Sequence, residues 1–116
     1  RPSADYIRLG YARAALRRRF WPELAGVDAV VAPTLAIVPP RIDALRDDGA
    51  YVEANARMLR NTTVFNVLAS PAASVPAGDT PDGLSVGLMV ATRPGEEGLA
   101  LGIARRLART LAGREG

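Results

Sequence analysis

The 116-residue sequence predicts an α/β chain of about three short strands flanked by helices. Three observations carry that prediction. Apolar residues recur at spacings of three and four near both ends of the chain, as on one face of a helix. Three runs rich in Val, Ala and Leu, at 27–32, 72–75 and 84–92, are short and bounded by Pro, Gly or Asp, as buried strands are. Apolar residues make up 48% and charged residues 23%, which lets a core form and argues against disorder.

The elements follow in order. Ser3 is an expected N-cap, and Asp5 suits the first turn of a helix. Tyr6, Leu9, Arg13, Leu16 and Phe20 then form one helical stripe, closed by Pro22 and Gly26. Arg13 is a charge inside that stripe, so it either snorkels to the edge or pairs with another group. Residues 27–32 read as a buried strand stopped by Pro33, and the three prolines of 33–40 stiffen the loop that follows. Residues 51–60 are helical by composition, and Thr62 or Thr63 is expected to cap a further short helix ending at Leu68. Ser70-Pro71 breaks it before the second strand. The turn-rich stretch 77–83 joins the second strand to the third, so these two are expected to pair antiparallel. Pro94-Gly95 leads into a last helix near 96–111, with Leu99, Ile103, Leu107 and Leu111 as its apolar stripe. Three strands and four helices leave sheet edges and apolar faces uncovered, the pattern of part of a larger α/β layer. Arg1 in place of an initiator Met points the same way.

Composition also restricts chemistry. The chain has no Cys, no His and no Lys; all 15 basic residues are Arg. Neither a disulfide nor a thiolate site can form. A Ser–His–Asp triad lacks its imidazole, and a Ser–Lys site lacks its amine. Arg cannot replace either, because its pKa stays above about 12. A zinc site would have to use carboxylates alone, so no metal or other cofactor is expected. The sequence pI is near 10.2, but the net charge is only +3 and the arginines are scattered apart from Arg17-Arg18-Arg19. That footprint is too small to predict nucleic-acid binding. No apolar run approaches the roughly 20 residues of a membrane span, and no signal peptide is visible. A cytoplasmic location is therefore expected, with neither membrane nor nucleic acid as partner.

Four blocks, taken together, resemble the amidase-signature family. They are DYIRLGYAR at 5–13, DAVVAPT at 28–34, TTVFNVLASPAASVPAG at 62–78 and DGLSVGLMV at 82–90. The third is similar to the family's Thr…Asn-x-x-Gly-x-Pro-Ala…Val-Pro-x-Gly pattern, and the fourth to its Gly-Leu-Pro-Val-Gly-Leu-Gln strand. The order matches the last quarter of such enzymes. The resemblance implies that residues 1–116 are a single segment, the C-terminal portion of an α/β/α layered fold. It also implies an enzyme that hydrolyses a carboxamide to carboxylate and ammonia through a Ser–Ser–Lys set lying upstream of this region. The implied partners are the N-terminal part of the same domain and a small-molecule amide substrate; self-association is left open. Ser3, Ser70, Ser74 and Ser85 have no base to serve them, so no catalytic residue is expected in this chain.

What remains for the segment is scaffold and pocket wall. Pro33-Thr34 ends a strand, where ligands gather in open α/β sheets, or is an ordinary strand stop. Asn66 has an amide that can hold loop backbone or meet substrate. Leu59 stands seven residues before Asn66, where the resemblance implies an acidic residue in the amidotransferase branch. A Leu there suits an apolar or aromatic amide, unless the helix is shifted and Leu59 is plain core. Met89 replaces the usual Gln, Ser85 the usual Pro and Ala69 the usual Gly; the last is costly if the backbone there needs positive φ. Thr34, Leu59, Asn66 and Met89 are thus the candidate pocket residues. The competing reading is a stand-alone or degenerate α/β module that only binds partners. Such a module would melt cooperatively and bind no hydrophobic dye, whereas a part of a larger layer would expose apolar surface.

Overall fold

The computed structural model describes residues 2–113. Helix α1 spans Ser3–Glu23, strand β1 Val30–Pro33, α2 Asp48–Leu68, β2 Ala72–Asp79, β3 Ser85–Ala91 and α3 Glu97–Ala112. A single 3-10 turn, Ile42–Leu45, interrupts the proline-rich connection between β1 and α2. There the Arg41 guanidinium holds the Asp43 carboxyl below its ordinary pKa, both side chains being exposed.

The strands form one sheet in the order β1-β3-β2, with β3 antiparallel to both neighbours. The expected β2–β3 pairing is therefore present, with a register shift between Pro76 and Asp79. The first strand begins later than expected, at Val30 and not at 27, because residues 24–27 still belong to the turn that closes α1. Gly26 takes φ 86° in that turn. The capping residue of α1 is Pro2; Ser3 lies inside the helix and makes no capping bond.

The stretch expected as two helices is one, running 21 residues from Asp48. Its cap is Asp47, whose carboxylate accepts from Ala50 N at 2.9 Å. Thr62 does not start a new helix, because its hydroxyl donates back to the Leu59 carbonyl at 3.2 Å and is satisfied within the turn. At the far end Ala69 N–H reaches Asn66 O at 3.2 Å and Ser70 N–H reaches Phe65 O at 3.0 Å. That pair of bonds is a Schellman closure, which requires a left-handed residue at its turn. Ala69 supplies it at φ 53°, the non-glycine residue with positive φ among those described. A β-carbon in that region costs roughly 1–2 kcal/mol, partly offset in Gly by a more flexible unfolded chain. Ala69→Gly is therefore expected to stabilise the fold by about 0.5–1 kcal/mol, read as a higher midpoint of thermal unfolding.

Strand alternation divides the core into two layers. Met89 and Ala91 face α2, where Phe65 and Leu68 pack on them with Phe20, Val30 and Ala32 at the margin. Val90 faces α3, against Val75 and Ala104 with Ile103, Leu107 and Leu111 around them. Small residues, Ala100 and Ala104, line the most deeply buried side of α3 and allow the helix close to the sheet. Three of its four predicted stripe residues pack there, while Leu99 stays exposed.

Helix α1 behaves differently. Of its predicted stripe only Phe20 joins the core; Tyr6 is 80% exposed, and Leu9, Arg13 and Leu16 are also exposed. Arg13 makes no salt bridge among the described residues and instead borders a groove with Tyr6, Leu9 and Arg17. The molecule is a slab of 54 × 44 × 19 Å with a radius of gyration of 17.2 Å; a compact chain of this length would measure about 13 Å. β1 and β2 are the outer strands of the sheet, and the apolar residues Tyr6, Leu9 and Leu16 of α1 lie exposed. Among the described residues no helix is long and apolar enough to cross a membrane.

Candidate pocket wall at the end of the sheet

The end of α1 is fastened to the core by polar contacts. Arg17 Nε donates to the Val67 carbonyl at 2.9 Å, and Trp21 Nε1 donates to Ser70 Oγ at 3.1 Å. Trp21 is buried, lies edge-on to Phe20, and carries the Arg93 guanidinium 5.3 Å from its ring. Arg93 in turn donates to the carbonyls of Val27 at 2.9 Å and Leu24 at 3.2 Å. One arginine thus ties the turn after α1 to the turn before α3. Sequence spacing could not reveal this, because Arg93 lies 66 and 69 residues from its acceptors.

At the opposite end of the sheet, β1 stops at Pro33 and the chain turns away at Thr34. Thr34 N–H still bonds the Gly87 carbonyl at 2.9 Å, and Asn61 Nδ2 holds the Pro33 carbonyl at 2.8 Å. The loop-holding amide is therefore that of Asn61, five residues before Asn66. Because Gly87 has no side chain, Thr34 and Ser74 meet over the central strand, with their hydroxyl oxygens 2.5 Å apart. A β-carbon at position 87 would lie 2.8 Å from each of those oxygens.

Between this hydroxyl bridge and α2 lies a cleft of about 260 Å³. Ala72, Ala73, Ser74 and Met89 line it from the sheet, Thr34 from just past the end of β1, Thr62, Phe65 and Asn66 from α2, and Ser70 from the chain between α2 and β2. Three of the four residues proposed from sequence, Thr34, Asn66 and Met89, are brought together here. Leu59 is not: it sits on α2 two turns before Asn66, about 10 Å along the axis, and is half exposed. Met89 is nearly fully buried and forms the cleft floor while also belonging to the core. Sequence reasoning missed Thr62, Phe65, Ser70 and Ser74; the Thr…Asn block contained all four, but only the fold shows which of its faces turns inward. A shallow groove of about 210 Å³ between loop 35–39 and residues 85–87 continues past Gly87.

The chemistry of the cleft is uniform. None of its lining side chains is acidic or basic. It offers hydroxyls, one carboxamide, and an apolar floor. Groups of three or more His, Cys, Asp or Glu able to hold a metal do not occur among the described residues. The arrangement can hydrogen-bond and enclose an uncharged polar group.

Comparison with known proteins places this geometry among related chains. The sequence profile of the family described as Amidase matches residues 2–101. A fatty acid amide hydrolase of Arabidopsis thaliana is 33% identical over 104 residues, which is 88% of this chain and 17% of that protein. A glutamyl-tRNA(Gln) amidotransferase subunit of Halobacterium salinarum is 42% identical over 88 residues, 74% of this chain and 20% of that protein. The solved structure of 6-aminohexanoate cyclic dimer hydrolase complexed with substrate superposes with a TM-score of 0.76 at 30% identity, over 94% of this chain and 24% of its own. The chain thus spans about a fifth of the length of the curated relatives it matches.

Proposed function

Because the chain belongs to the amidase family, we propose that it is the C-terminal scaffold and pocket wall of an enzyme that hydrolyses a carboxamide to carboxylate and ammonia, and that it has no catalytic activity by itself. The observation that carries this reading is the cleft at the sheet end, which offers hydroxyls, one carboxamide and apolar surface and is lined by no acidic or basic side chain. Amide cleavage needs an activated nucleophile beside its base. With no Lys, His or Cys in the chain, Ser70 and Ser74 have nothing to take their protons. The nucleophile and its base must come from the N-terminal part of the domain, docked against the bare stripe of α1 and the sheet edges.

The substrate is an uncharged amide with an apolar or aromatic acyl group. The apolar floor of Phe65 and Met89 supports this, as does the similarity to a fatty acid amide hydrolase. The enzyme needs no cofactor and works in the cytoplasm.

The test is ammonia release from a panel of aliphatic and aromatic carboxamides. The purified chain is expected to release none. The same chain joined to the N-terminal part of a related amidase is expected to release ammonia above the level of either part alone. Activity of the purified chain, or inactivity of every such joined protein that folds, refutes the reading.

A further inference from the structure

We draw no further inference here: the strongest candidate, the groove along the exposed face of helix α1 bordered by Tyr6, Leu9, Arg13 and Arg17, belongs to the surface against which the N-terminal part of the domain is already proposed to dock, and nothing in the structure shows which side chains cover it.

Discussion

Trp21→Ala is expected to cost about 3–5 kcal/mol of folding stability, the range for removing a large buried aromatic side chain. Trp21 is 6% exposed and, with Phe20 and Arg17, joins the end of α1 to the rest of the molecule. Three contacts end on it: the edge-on Phe20 ring, the Arg93 guanidinium above its face, and the Ser70 hydroxyl. Elsewhere α1 lies largely exposed, with Tyr6, Leu9 and Leu16 unburied, so little else compensates the loss. Trp21→Phe separates the two parts of the effect. It retains most of the packing and forfeits the N–H bond, worth about 1 kcal/mol. Urea unfolding followed by far-ultraviolet circular dichroism measures both, since the variants lack the natural fluorophore. A loss below about 1 kcal/mol for Trp21→Ala would show that α1 is held by other contacts.

Gly87→Val is expected to destabilise the fold by about 1–3 kcal/mol, the usual cost of overpacking. At an unobstructed strand position the same change would stabilise, because Val suits a strand and Gly does not. The sign is therefore diagnostic. The Gly87 backbone is not left-handed, so the penalty is steric and not conformational. Its source is the pair of hydroxyl oxygens 2.8 Å from the added carbon, together with Thr34 Cβ at 3.2 Å. In a Thr34→Ala, Ser74→Ala background most of the obstruction is gone, and the cost of Gly87→Val is expected to fall by at least half. A double-mutant cycle on unfolding free energies measures that coupling. If the penalty is the same in both backgrounds, the bridge over the central strand is not what excludes a side chain there.

Much of the fold was legible locally. Pro33, Pro71 and Pro94 mark ends of elements, and the spacing-four stripe of α3 describes most of its buried face. The expectation of a costly Ala69 was legible too, because the Asn-x-x-Gly resemblance pointed to a turn, and the turn is left-handed. Other features were not. The break placed before Thr62 came from reading a Thr as a cap, when its hydroxyl bonds back within the same helix. The stripe of α1 has a core-like period, yet most of it is bare in this chain. Periodicity shows which residues share a face and says nothing of whether that face has a neighbour.

The sequence by itself determined the order of the elements and the absence of amine, imidazole and thiol side chains, since punctuation by Pro and Gly acts over a few residues and no folding adds a functional group. Only the tertiary structure decided which polar groups meet. Thr34 and Ser74 are 40 residues apart and touch because β1 and β2 flank a glycine on β3; Trp21 and Ser70 are 49 apart and touch because α1 ends over the closure of α2. Register and layer packing set those contacts, and both arise from the burial of apolar surface by the whole chain, which no short stretch of it specifies.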